Sequence, residues 1–341
     1  MLKADVATKR HKKHKRNLFD FCVLCAFFWQ FPLAALAQQQ ETIALTDFPV
    51  PAWPAEGAPA PKDKYVFVDL GKNEYVVSYP ANLGTPAFEK EGPGASKVAR
   101  YELLRNVDPT VSVEVTRPSS TKYRYAYSVM NGAAAKQSID QWLLVVPLQA
   151  GNDSIKHPAG WFAIVQKGRT FKLKKPDWIR NGAAAVWSFE KDVEVIQPGA
   201  SKKGFELESE LKPGFTVAYL RKAESVAALV AVSGNVPKPV KDELDSLLTV
   251  EFNSRTLLTI GPKFDKAVDD RTVALDFIEG ISFLSRSGAL DPNSEFVKNT
   301  LSELKGIPPG GSGASIKWTS PARTPVETEV LTALKAAFHI N

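Results

Sequence analysis

Between Lys122 and Met130 rings and polar side chains alternate without a break: Tyr123, Tyr125, Tyr127 and Val129 fall on one side, Lys122, Arg124, Ala126 and Ser128 on the other. A period of two belongs to a β-strand, whose successive side chains point to opposite faces of a sheet. Asn131-Gly132 closes the stretch with a turn signal. Similar segments recur at Tyr65–Leu70, Glu74–Tyr79, Tyr101–Asn106, Val111–Thr116, Trp161–Gln166, Val186–Phe189, Val193–Ile196, Phe205–Ser209 and Phe215–Arg221. They are rich in Val and aromatic residues and bounded by Gly, Pro and Asn. Ile139–Leu148 differs, because Leu143, Leu144, Val145 and Val146 are apolar on both faces, as in a strand at the middle of a packed sheet. Short strands separated by turns, with no helix-length periodicity, predict a mainly β chain: a two-sheet antiparallel β-sandwich over residues 62–235.

The texture changes at Val236-Pro237-Lys238-Pro239, and residues 236–341 read as a smaller, mostly helical C-terminal region. After a mixed piece at Asp242–Ile260, Val268, Val273, Phe277, Ile281 and Leu284 fall at largely helical spacing. Gly288 and Asp291-Pro292 then predict a helix stop and a new helix start, with Pro at its first position. A helical hairpin over 265–305 follows, ended by Gly306 and Pro308. Gly310-Gly311-Ser312-Gly313 predicts a flexible break, and Thr324-Pro325-Val326-Glu327 a capping box opening a last helix.

The first 37 residues have the order of a secretory signal peptide. Lys9 to Arg16 is almost wholly basic, Phe21 to Trp29 is apolar, and Ala35-Leu36-Ala37 is a small-x-small cleavage pattern. The chain is therefore expected to be exported to a periplasmic or extracellular space. The alternative is a membrane anchor at residues 21–37, which is short for a bilayer span and interrupted by Gln30 and Pro32. Cleavage after Ala37 alters the charge balance. The chain has 43 Lys+Arg against 37 Asp+Glu, net +6, of which residues 1–37 hold seven bases and two acids. The remainder is close to neutral, which removes the electrostatic argument for nucleic acid. Cys22 and Cys25 lie in the same apolar run, so the exported chain carries no thiol for a disulfide, redox pair or nucleophile. Residues 38–61, with Pro49, Pro51, Pro54, Pro59 and Pro61 among alanines, read as an extended linker in which Trp53 is loosely held.

Tyr123, Tyr125, Tyr127, Trp161, Trp178 and Trp187 have two readings. An exposed sheet face would offer flat rings at regular spacing, a stacking platform for sugars. Aromatics also fill sandwich cores and form cross-strand pairs whatever the function. Other chemistry is thinly supported. His157 stands before Pro158 in a loop, His339 is near the C-terminus, and no G-x-S-x-G elbow occurs. Ser119–Lys122 and Ser302–Lys305 match S-x-x-K without its companion elements. The sequence holds no H-E-x-x-H, calcium loop or phosphate cradle, so neither metal nor cofactor is expected. Asp265, Asp269 and Asp270 read as helix-start charges. The function expected is a non-catalytic binding or structural module of the cell envelope or extracellular space. Its partner would be an envelope protein or a glycan, with membrane contact only through an uncleaved N-terminus. The alternative is a secreted glycan-active hydrolase using an Asp/Glu pair.

Two blocks carry a resemblance. One is Tyr125-Ala126-Tyr127-Ser128-Val129-Met130-Asn131 with Gln137-Ser138-Ile139. The other is Gln197-Pro198-Gly199-Ala200-Ser201 with Gly204-Phe205, Ser209 and Pro213-Gly214. Together they resemble uncharacterised exported bacterial β-sandwich proteins of Ig-like type, and the hairpin resembles small helical modules appended to secreted proteins. The resemblance implies fold and export and carries over no catalytic residue.

Overall fold

The computed structural model describes residues 51–54, 63–147, 154–170, 181–189, 195–222, 235–247 and 253–339, apart from 70, 73, 82, 84–95, 104 and 319. The signal segment and most of the linker lie outside the described residues, as does the first half of the strand expected at Val193–Ile196.

The fold is mainly β, as the alternation predicts. Twelve described strands form three antiparallel sheets. β4 (Pro109–Thr116), β5 (Tyr123–Asn131), β10 (Ser201–Ser209) and β7 (Ser154–Lys156) pair in that order. Facing them is a five-stranded sheet ordered β12 (Arg255–Phe264), β11 (Lys212–Arg221), β6 (Gln141–Val146), β9 (Asn181–Phe189) and β8 (Trp161–Thr170). The main core lies between the two sheets, where Tyr125, Tyr127 and Phe205 meet Trp142, Trp161 and Trp187. β6 occupies the centre of its sheet, as its doubly apolar pattern requires. Trp142 and Leu144 enter the main core, while Leu143 and Val145 are buried on the opposite face with Ala184, Val186, Val217 and Tyr219.

Two expectations about organisation need correction. A third sheet, β1 (Val66–Asp69), β2 (Glu74–Pro80) and β3 (Ser96–Glu102), is separate from the sandwich. It buries Val66, Val68, Tyr75 and Val77 against Val240 and Leu244 of helix α1 (Lys238–Leu247). β3 also ends at Glu102, before the expected Asn106, because Leu103 turns into this small core. The boundary at 236 likewise fails to part strands from helices. β12 lies beyond it and pairs along the length of β11, from Leu220↔Arg255 to Lys212↔Phe264. No local pattern announces a strand whose ladder partner ends some thirty residues earlier.

The two resembling blocks meet in space. Asn131 is buried at the end of β5, and its amide group donates to the carbonyls of Gln137 (2.8 Å) and Ile196 (3.1 Å). The Gly199 amide donates to the Asn131 carbonyl at 2.7 Å. Gly199 (φ 79°) and Gly204 (φ 95°) both need the left-handed region, and the latter marks the bulge at which β10 shifts register on β5.

In the C-terminal region α2 (Asp270–Arg286) and α3 (Glu295–Lys305) form the expected hairpin, and α4 (Pro325–Ala337) is the last helix. Asp269 caps α2, and Thr324 and Glu327 cap α4 reciprocally. The start of α3 is shifted from its expected position: Ser294 is the cap, accepting from the Val297 amide at 3.2 Å. Asp291 instead closes a local turn on the Asn293 amide at 2.9 Å. The expected flexible break at 310–313 is also corrected at its end. Gly313 is buried beneath Phe338, where an added Cβ would meet the ring at 2.2 Å, and its amide donates to Asp270 at 2.9 Å.

Helix α2 lies against β11 by bringing Gly280 onto Phe215, a ring that also meets Phe277 edge-on at 5.4 Å. A methyl group at Gly280 would stand 2.0 Å from that ring. Gly280→Ala is therefore expected to destabilise the protein by about 1–3 kcal/mol, although alanine gains about 1 kcal/mol of helix propensity. Urea unfolding of the variant checks this, and a stabilised protein would show that helix and sheet separate freely.

Candidate functional site

The aromatic platform is corrected by burial. Tyr123, Tyr125, Tyr127, Trp161 and Trp187 are each at most 2% exposed, and Trp178 lies outside the described residues. A sugar stacks only on a ring face that water can reach, so these five side chains offer no platform. Their polar atoms serve the core instead. The Tyr125 hydroxyl donates to the Leu211 carbonyl in the turn between β10 and β11 at 2.8 Å, and Tyr127 to Ile260 of the facing sheet at 3.1 Å. Trp142 and Trp187 stack at 4.2 Å, with Phe205 edge-on to Trp142 at 5.4 Å and to Trp161 at 5.0 Å.

The alternation that buries the tyrosines turns their neighbours outward. Arg124, Ala126, Ser128 and Met130 of β5 lie beside Glu114 and Ser112 of β4 and beside Glu206 and Glu208 of β10. β7 adds Lys156 opposite Glu206. Three strands share one charge network on this face. Arg124 binds Glu206 through Nε at 3.1 Å and through Nη2. Lys156 Nζ lies 3.4 Å from the same carboxylate and 3.2 Å from Glu208. The hydrogen bond from Arg124 holds the Glu206 carboxyl below its ordinary range. In the facing sheet β6, β9 and β11 are buried on both faces, while the edge strand β8 exposes Phe162 and Ile164.

Charged groups that burial singles out each hold elements together. Lys212 Nζ meets Asp270 at 3.2 Å and the Val268 carbonyl at 3.1 Å, tying β11 to the start of α2. Lys263 of β12 pairs with Asp276 of α2, and Asp276 accepts from the Phe215 amide at 2.7 Å. Glu327 completes the cap of α4. Asp269 accepts from the Thr272 amide and hydroxyl at 3.1 and 2.6 Å, which holds its carboxyl low and bears out its reading as a helix-start charge. The two histidines among the described residues are peripheral. His157 lies 3.2 Å from the Pro158 carbonyl, and His339 stacks over Tyr123 at 6.5 Å, its imidazole lowered by burial and by Arg117 and Lys212. Among the described residues no three His, Cys, Asp or Glu side chains gather as a metal set. The Lys263–Asp276 pair escaped sequence reading, because a lysine near a strand end and an acid within a helix carry no local sign of meeting.

Glu329 lies on α4 against β4, where burial pushes its carboxyl up to about 8 while a hydrogen bond from the Val113 amide pulls the other way. A carboxyl whose folded value lies above its unfolded one stabilises the fold fully only below the unfolded value. That contribution is lost as pH rises through the folded value. Stability is thus expected to fall between roughly pH 5 and 8, by on the order of 4 kcal/mol from this group at most. Glu329→Gln should flatten that part of the profile, which urea unfolding across this range measures. An unchanged slope would place the dependence elsewhere.

No family model matches the chain, and no curated protein does. Among solved structures it is similar to an immunoglobulin-like protein of Nocardia farcinica, at 11% identity and TM-score 0.23 over 32% of this chain and 75% of that one. It is also similar to a biomass-sensoring module of Clostridium thermocellum that resembles a family 3 carbohydrate-binding module, at 9% identity and TM-score 0.23 over 30% and 66%. These likenesses are too slight to carry an argument. The sandwich assignment rests on the sheets themselves.

Proposed function

We propose that this protein is an exported, non-catalytic binding or structural module of the cell envelope or extracellular space, which meets its partner through the outer face of the four-stranded sheet. The observation that carries the reading is the contrast between the sandwich's two sheets. The central strands of one are buried on both faces and its β8 edge exposes apolar Phe162 and Ile164, while the other turns a polar, ion-paired surface outward. Asp270 and Asp276 join elements and Glu327 caps its own helix, uses that support a structural assignment of these acids. Export rests on the signal pattern of residues 1–37, and the partner sought is an envelope protein or a glycan.

Two measurements test the proposal. Fractionation with N-terminal sequencing should find an exported chain beginning at Gln38, and a cytoplasmic full-length chain would end the export reading. Glycan-array screening and pull-down from envelope extract should then yield a partner that the charge reversal Arg124→Glu/Lys156→Glu loses. Both positions are exposed, and surface ion pairs are worth about 0–1 kcal/mol, so the variant should stay folded. A partner retained by the folded variant would move the site off this face.

A further inference from the structure

The linker is not wholly loose. Residues 51–53 lie along the outer edge of β1 in parallel register, with Ala52 opposite Val68. The Trp53 amide donates to the Val68 carbonyl at 2.9 Å, and the Val68 amide donates to the Pro51 carbonyl at 3.1 Å. The Trp53 indole stands edge-on to Phe67 at 5.2 Å, and the Arg100 guanidinium lies 5.7 Å from the indole centroid. Arg100 is itself held by Asp69 at 3.3 Å and Glu74 at 2.9 Å, so the cation is presented to the ring before the ring arrives. A strand edge that accepts an added segment, an aromatic wall and a fixed cation are what recognition by strand addition requires: backbone bonds give affinity and the side-chain seat gives specificity.

We propose that the β1 edge with Phe67 and Arg100 is a binding site for an extended, tryptophan-bearing peptide segment of a partner protein, filled in this structure by the chain's own Pro51–Trp53. The seat is built wholly by residues outside the segment it holds. The segment supplies one carbonyl, one amide and one indole, and Ala52 between them stays exposed. Pro51 and Pro54 lack amide hydrogens, so the pairing stays short and rests on the ring. Occupancy from within the chain gains from high effective concentration, and a competing segment displaces it by presenting the same proline-flanked tryptophan. Displacement would release the linker from the small sheet. This site is independent of the sandwich face proposed above.

The test uses the full chain carrying Trp53→Ala, which removes the indole from its seat against Phe67 and Arg100, and a fluorescent synthetic peptide of residues 48–56. Anisotropy should show saturable binding to the variant at least tenfold tighter than to the wild-type chain, whose seat is filled. Replacing the peptide's tryptophan by alanine, or adding Arg100→Ala to the chain, should each weaken binding at least tenfold. Absence of saturable binding to the Trp53→Ala chain, or equal binding to both chains, would overturn the proposal.

Discussion

Asp276→Ala is expected to destabilise the protein by about 3–5 kcal/mol, the cost of stranding a buried charge. Asp276 and Lys263 keep only 7% and 10% of their side-chain surface in water. Burial works against both charges, pushing the lysine ammonium down and the carboxyl up from their ordinary values, and their mutual attraction opposes it. Both groups also serve the backbone of β11, where Lys263 donates to the Phe215 carbonyl at 2.8 Å and Asp276 accepts from the Phe215 amide at 2.7 Å. Truncating Asp276 therefore strips the buried ammonium of its counter-ion and the Phe215 amide of its acceptor together. Gly214 makes the approach possible, since a Cβ there would stand 2.9 Å from the Asp276 carboxylate. The double variant Lys263→Met/Asp276→Leu removes both charges and should recover most of the loss. Urea unfolding of the single and double variants decides the matter, and a loss under 1 kcal/mol for Asp276→Ala would mean the pair is solvated.

Trp187→Ala should cost a similar amount, about 3–5 kcal/mol, as large-to-small changes of buried aromatics do. Its indole is fully buried, stacked on Trp142 with an 8° interplanar angle, and its Nε1 donates to the Lys156 carbonyl at 2.8 Å across the sandwich. Trp187→Phe keeps a ring in the stack but leaves that carbonyl without its donor, so an intermediate loss is expected. The pair of variants also separates the two readings of the aromatic residues. A ligand platform loses binding and keeps its melting temperature, whereas a core residue does the reverse. Thermal unfolding beside the partner assay reads both, and an unchanged melting temperature for Trp187→Ala would restore the platform.

What was legible in the sequence was local. Lys122–Met130 alternates because neighbouring residues of a strand face opposite ways, and Leu143–Val146 is apolar throughout because β6 is covered on both sides. Thr324 and Glu327 cap a helix from three residues apart, and Gly199 and Gly204 stand where the backbone takes the left-handed conformation that glycine allows. Each of these follows from contacts within a few residues.

The sequence by itself determined that the chain would be mainly β, where most strands lie, and where the closing helices begin within a few residues. Tertiary structure alone decided which strands share a sheet, that β12 returns from beyond the helix α1 to pair with β11, and that Trp53 docks on β1. It also decided which side of β5 meets water. Alternation defines two faces without ranking them: a face of three tyrosines suits a ligand platform as well as a core. Only the arrival of the second sheet, carrying Trp142, Trp161 and Trp187 from distant parts of the chain, buries the rings and leaves Arg124 and its partners as the surface. That outcome depends on contacts between residues far apart in sequence, for which a short stretch of residues holds no signal.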